Sequence, residues 1–502
     1  MSTPNGPLSF ARRRHARKSE TARAAVARRA GAGLLGSGSA QFFVLSAFLA
    51  AAFAMGGSAR GDIQSLMILR PLAALTLGFG LTSLEWGHIR SCRCLFGLAA
   101  SCVLLAIVQL IPLPGTVSYA LPGHGLIADI DRASGNFGVA RPISLAPSQT
   151  WNALWSMMPP LAVLVLGAQM SGAEHRKLLT LVLGIGLLSA CLGFAQTVSD
   201  AQGPLYFYDD MGRGLPVGLL ANRNCQAVFL AALLPALGVW ARLHEAGPDP
   251  RGGRGVSVYM IGASVLGLCL VPLILLTGSR MGAAVGLLAF LAAPLAVRRA
   301  KRGGGPPAAG GRAARLVRLL PLAGLAGGAG LVALANAGGR ALSLDRLFAQ
   351  SPGDGLRIQI LPTVKALIGQ HWPLGTGLGT FKPVYRVFEP DSVLAPSIMN
   401  HAHNDWLEVP MTAGVGGALI LLAASIAWSW RLVSTLRSRP GAGTQYLTRL
   451  GVLIVLLFAV ASVSDYHLRT PSIACLLALA AIWAATDTQN ERRAQKDAAA
   501  SQ

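Results

Sequence analysis

Charge is scarce in this chain of 502 residues: Asp, Glu, Lys and Arg together make up 13% of it, about half the share of an ordinary globular protein. A surface largely in contact with water is excluded by that shortage, and with it a purely cytoplasmic enzyme. Cysteine is scarce and irregular. The seven cysteines lie in or beside apolar stretches, which excludes the evenly spaced disulfide framework of a small secreted protein. Cys92 and Cys94 stand in a lone CxC without a second pair to complete a zinc site. Internal repeats are missing too, which argues against a transporter built from inverted halves.

What the chain has in abundance is apolar length. Hydrophobic residues reach 53% and the mean hydropathy is +0.52. The fold class expected is an all-α polytopic membrane protein. At about 20 residues per span, runs at 39–57, 66–84, 94–112, 151–170, 178–197, 216–240, 256–277, 281–297, 319–338, 407–430, 450–466 and 471–486 predict about twelve transmembrane helices. The bundle then occupies 39–486, between a basic tail at 1–38 and a short tail at 487–502.

The net charge of +22 would suggest nucleic acid in a soluble protein. Here position matters more than sum. The first tail carries Arg12, Arg13, Arg14, Arg17, Lys18 and further arginines against a single acid, Glu20. The positive-inside rule therefore places it in the cytoplasm, and an even number of spans places the other end there as well. The inside segments of that topology hold about 29 of the 43 basic residues. The densest is RRAKRGGGPPAAGGRAAR at 298–315, a Gly/Pro-rich linker. No nucleic-acid partner is expected; the bilayer is the partner these charges address.

Function is expected outside, where loops fall at about 113–150, 198–215 and 339–406. The last ends in a polar cluster just before a span: His401, His403, Asn404, Asp405 and Glu408. Three readings fit it: a metal site, a proton-transfer site in which one His accepts a proton from a hydroxyl, or a polar cap on a membrane helix. Arginines at membrane depth form a second group, because a guanidinium there is expensive without a partner or a task. Arg280 lies in LLTGSRMGAA and Arg223 in LLANRNCQAV beside Asn224, both at outer span ends. Planar guanidinium forks match the oxygens of a diphosphate. Arg70 reads as structural. Finally, Gly375, Gly377 and Gly379 in HWPLGTGLGTF present a GxGxG whose amides can cup an anion.

Taken in order, ANRN, SR, PLGTGLGTF and HAHNDWLEVPMTAGVGG resemble the O-antigen ligase and polymerase superfamily of bacterial membrane glycosyltransferases. The resemblance covers about 262–425, and its most specific element is His403-Asn404, nine residues, Gly414, two residues, Gly417. It implies a GT-C-like helical fold in the inner membrane, with a long periplasmic loop before the tenth span. It also implies a glycan carried on undecaprenyl diphosphate and transferred to lipid A-core, to the next repeat unit or to a protein. It implies catalysis by inversion without metal or other cofactor. Carried over residue by residue, His403 becomes the base and Arg280 a catalytic cation. Arg223, Asn224, Gly375, Gly377, Gly379, His401, Asn404, Asp405 and Glu408 become substrate-binding candidates. Thr412 departs from the pattern, since many relatives carry an acid there; Glu408 or Asp405 is left to replace it.

Overall fold

The computed structural model describes residues 37–200, 203–208, 212–245, 257–298, 352–394, 398–437 and 444–485. The two tails, nearly all of the 298–315 linker, the run at 319–338, and Arg340 and Arg346 lie outside the described residues. Among the described residues there is no β-strand, only one antiparallel bridge between Leu113 and Arg141.

The helices in chain order are α1 (Ser37–Met55), α2 (Leu66–Thr82), α3 (Trp86–Ser91), α4 (Arg93–Leu110), α5 (Gly115–Ser118), α6 (Gly125–Ala133), α7 (Pro147–Ser156), α8 (Met158–Gly167) and α9 (Gly172–Val198). They continue with α10 (Arg223–His244), α11 (Val258–Leu276), α12 (Arg280–Ala296), α13 (Pro352–Gln359), α14 (Leu361–His371), α15 (Phe381–Phe388), α16 (Asp405–Arg437), α17 (Thr444–Ala461) and α18 (Pro471–Ala485). Five of them (α4, α9, α10, α11 and α16) are long and apolar enough to cross a membrane, and five shorter helices are also apolar. A nearly all-helical membrane protein is thus what the chain builds, as its composition required.

Helix α10 is the hub. Almost its whole length is buried, Ala227 through Ala232 having at most 1% exposure, because α9, α11, α12 and α17 pack around it. Its apolar residues occupy every face, the pattern of a helix enclosed by others.

Two expected spans are corrected. The run 151–170 is two helices, α7 and α8, meeting at Met157. Pro159 and Pro160 have no N–H for the carbonyls of the preceding turn, so the ladder stops and a new helix starts with its prolines in the first turn. The run 216–240 becomes helical only at Arg223. Pro216, Gly218 at φ 60 and the N-cap Asn222 hold 216–222 outside the helix. There Val217 packs with Tyr206 and Tyr208 as a small cluster of its own.

The described part of the 339–406 loop is folded. Helices α13, α14 and α15 bring Ile360, Val364, Leu367, Phe381 and Tyr385 onto Met411 of α16, making a second apolar core separate from that of the bundle.

Candidate active site

Asn404 starts α16: its side-chain oxygen accepts from the Leu407 N–H at 3.2 Å, and Asp405 and Glu408 occupy the first turn. This is ordinary N-capping chemistry, with acids at the positive end of the helix. His403, just before it, has φ 51, a left-handed backbone that costs a non-glycine residue about 1–2 kcal/mol. Such strain survives where surrounding contacts fix it.

Those contacts are two histidine–carboxylate pairs. His401 Nδ1 lies 2.9 Å from Glu408 Oε1, and the other oxygen of Glu408 accepts the Ala402 N–H at 2.8 Å. His403 Nδ1 lies 3.0 Å from Asp465 Oδ1. The ring of Tyr466 is next to both imidazoles, at 4.4 and 4.8 Å between centroids. Asp465 is 1% exposed and also accepts from the Asn224 side chain at 2.6 Å and the Tyr466 N–H at 3.0 Å. Burial alone would raise its pKa. The His403 hydrogen bond and the nearby charges of His467 and Arg357 outweigh that and hold the carboxyl well below the ordinary range.

Arg469 completes the arrangement, reaching Asp405 Oδ1 at 3.2 Å and Glu408 Oε1 at 3.1 Å. The segment SDYHLR, 464–469, therefore supplies three site residues that the sequence reading left out: Asp465, Tyr466 and Arg469. A visible signal existed, namely a run of polar and charged residues in the short connection between the last two apolar helices.

The glycine segment behaves differently from the anion cup expected of it. α16 is broken at Gly414, whose φ is 57 and ψ −146. The break frees carbonyls at 411 and 412, and the loop fills them: Thr376 N–H donates to Met411 O at 3.0 Å and Gly377 N–H to Thr412 O at 2.8 Å. Gly375 N–H goes to His371 O at 2.9 Å. Gln109 of α4 closes the joint, donating to Thr412 O at 3.0 Å and accepting from Leu378 N–H at 2.9 Å. With their amides committed, Gly375 and Gly377 are not a phosphate cradle. They are glycines because backbones meet there: a Cβ on Gly375 would lie 2.5 Å from Gly414 N, and one on Gly414 2.1 Å from Pro373 O. Thr412, where an acid was expected, is fully buried and donates to Glu408 O at 2.7 Å.

Above the histidine pairs is a cavity of about 1080 Å³. Its walls carry Arg60, Arg223, Arg357, Lys382, Arg386 and Arg469, against one acid, Asp62, which Arg60 grips at 2.6 Å. His401, Tyr466, Asn224 and Gly379 also line it, whereas His403 does not. Lys382 and Arg386, one turn apart on α15, face the cavity while Phe381, Val384 and Tyr385 are buried on the other side. Arg280 is exposed at the first residue of α12 and is not among the lining residues. It shares an end of the bundle with Arg223, since Gly282 packs directly on Ala227 of α10. Arg70 donates to Asn152 and Ser156, at 2.6 and 3.1 Å. No group of three or more His, Cys, Asp and Glu among the described residues is arranged to hold a metal ion.

Apolar helices carrying paired histidines and carboxylates beside a cation-lined cavity give a membrane protein a site whose chemistry suits proton transfer and anion binding. Residues 263–422 match the family model described as O-Antigen ligase. The matched stretch contains Ser279-Arg280, the glycine segment and the histidine segment, and over those residues the chain is similar to the O-antigen ligase family. A search of curated proteins finds no match to the chain.

Proposed function

We propose that the protein transfers a glycan from undecaprenyl diphosphate to an acceptor hydroxyl at the periplasmic face of the inner membrane, in the manner of an O-antigen ligase with lipid A-core as acceptor. The twelve-span, GT-C-like topology with both termini cytoplasmic belongs to the same proposal. What supports it is the chain of contacts from Asn224 to Asp465 to His403 beside the cationic cavity.

The chemistry is a single displacement with inversion. The acceptor oxygen attacks the anomeric carbon, its proton passes to His403, and the bond from that carbon to the phosphate oxygen breaks, releasing undecaprenyl diphosphate. Asp465 fixes the imidazole through Nδ1, so the free Nε2 is the nitrogen that takes the proton. Arginines of the cavity meet the charge that develops on the diphosphate, work that needs no metal when the cations are already positioned. Arg223 and Arg280 stand at starts of helices, where the helix dipole adds to their charge.

His401 supports a second reading, because it lines the cavity. A purified transfer assay separates the two: loss of turnover in His403→Ala with partial activity in His401→Ala supports the first, and the reverse order overturns it. EDTA inactivation reversed by an added divalent ion overturns the metal-free mechanism. Arg280→Lys, which keeps the charge without the fork, is expected to lose most activity; full activity would leave Arg280 a snorkelling cation. Alkaline phosphatase fused after Gln370 is expected to be active and after Gly305 inactive; the opposite pair overturns the topology. In cells, loss of a ligase leaves unattached lipid-linked polymer, whereas loss of a polymerase, the alternative within the family, leaves single repeats. A lipid-linked glycan transporter, the alternative of another class, is excluded if the purified protein forms the new glycosidic bond.

A further inference from the structure

The wall that α7 and α8 give to the cavity changes character within one turn. Asn152, Ser156, Met157 and Pro160 line the cationic cavity. Leu161, Leu164 and Val165, the next residues on the same side of α8, line a second hollow of about 470 Å³. Every residue that lines this hollow is Leu, Ile, Val, Ala or Phe. Its floor is a stripe on α4 that repeats every three and four residues from Phe96 to Ile107, with Ala99 and Ala100 making the depression. Its far side is Leu77 and Leu81 of α2 and Leu84 just beyond its end. Two turns before Leu77 on that face stands Arg70, bonded to Asn152 and Ser156 of the cavity wall. A cation thus stands behind the wall that the cavity and the groove share, bonded to that wall while lining neither hollow itself.

We propose that this groove seats the isoprenoid chain of a polyprenyl diphosphate and that Arg70 positions the phosphate nearest the chain. The inference rests on the function proposed above and adds where the carrier lies and how it reaches the cavity: sideways, from the bilayer, between α2 and α4. Continuity decides the occupant. In a polyprenyl diphosphate the chain is bonded directly to phosphate, so an apolar path must begin where the phosphate site ends, as it does between Pro160 and Leu161. The acyl chains of a glycolipid acceptor are separated from its accepting hydroxyl by several sugars and have no need to start at the cavity. The stripe on α4 runs about 16 Å along the helix axis, roughly half of a hydrocarbon core, so the chain leaves the groove within the membrane. Arg70 ceases to be only structural: a half-buried guanidinium that ties α2 to α7 also offers its remaining edge to a phosphate.

The test is binding, which keeps its failure distinct from failure of the transfer reaction. The full-length protein in lipid nanodiscs is titrated with undecaprenyl diphosphate and, separately, with inorganic pyrophosphate. Ala100→Trp, on an exposed part of α4 and filling the groove, is expected to weaken undecaprenyl diphosphate by about tenfold or more, the loss of a few buried methylenes, and to leave pyrophosphate unchanged. Arg70→Gln is expected to weaken both. Leu188→Trp, at an exposed position of α9, controls for a bulky residue in the lipid contact. A photoreactive polyprenyl diphosphate should label 77–84 and 96–107. Unchanged affinity of Ala100→Trp, labelling confined to other faces, or equal labelling of the groove by a photoreactive phospholipid each overturns the proposal. If the two ligands bind as stated but the enzyme transfers no glycan, the groove stands and the transfer reading falls.

Discussion

His401 and His403 are two residues apart, each is 18% exposed, each contacts Tyr466, and each is bonded through Nδ1 to a buried carboxylate. Their carboxylates differ. Glu408 is shared with Arg469, so its charge is already met before His401 takes a proton. Asp465 is held by neutral donors, the Asn224 amide and the Tyr466 N–H, and His403 is its ion-pair partner among the described residues. Arg357 and His467 act on Asp465 only through space, so His403 is its direct ionic contact, whereas Glu408 is also gripped by a guanidinium. Under the proposed function the two similar pairs divide the work: His403–Asp465 moves the proton and His401–Glu408–Arg469 holds the wall of the cavity.

The largest effect that breaks the comparison is expected at His403. Removing a general base costs roughly 10²–10⁴-fold in turnover, so His403→Ala should lose that much while donor binding stays nearly intact. Asp465→Asn should fall at the low end, about 10²-fold, since the base remains but loses its tautomer and its counter-charge. If Asp465→Asn turned over normally, the difference between the two carboxylates would carry no catalytic meaning.

The next effect is on stability. Glu408 is fully buried, and Glu408→Gln leaves Arg469 with Asp405 alone while His401 loses its charged partner. Breaking a buried ion pair from one side costs about 3–5 kcal/mol; with Arg469 21% exposed and still paired, about 3 kcal/mol is expected, read as a lowered midpoint in thermal unfolding of the detergent-solubilised protein. Asp465→Asn, which leaves neutral donors behind, should lower that midpoint less. Equal shifts would erase the distinction.

The sequence made some of this legible and hid the rest for physical reasons. Apolar runs announced the membrane helices because bilayer thickness demands them. Prolines at 159 and 160 and the turn residues of 216–222 were outvoted by the hydropathy around them, which is why two spans were drawn too long. The histidine segment was conspicuous, charge beside a span being costly. Asp465 and Arg469 were not, because so short a connection has no periodicity and their meaning comes from partners 62 and 64 residues away. GxGxG was seen but misread: positive φ and close backbone approach serve phosphate cups and packing joints alike, and only the committed amides of Gly375 and Gly377 tell which.

The smallest effect sharpens the comparison most. His401 lines the cavity and His403 does not, so position alone favours His401 as base while the carboxylates favour His403. His401→Ala removes a ring from the wall but leaves Glu408 bonded to Ala402 N–H and paired with Arg469. No buried charge is orphaned, and the unfolding midpoint should move little. If the residue only shapes the wall, KM for the donor rises modestly and turnover falls by less than about tenfold, below the range of a lost general base. His401→Gln, which can still donate to Glu408, should recover most of that loss. A base cannot be replaced by an amide. Failure of His401→Gln to rescue, together with a turnover loss beyond 10²-fold, would therefore move the proton to His401 and make Asp465 the structural carboxylate.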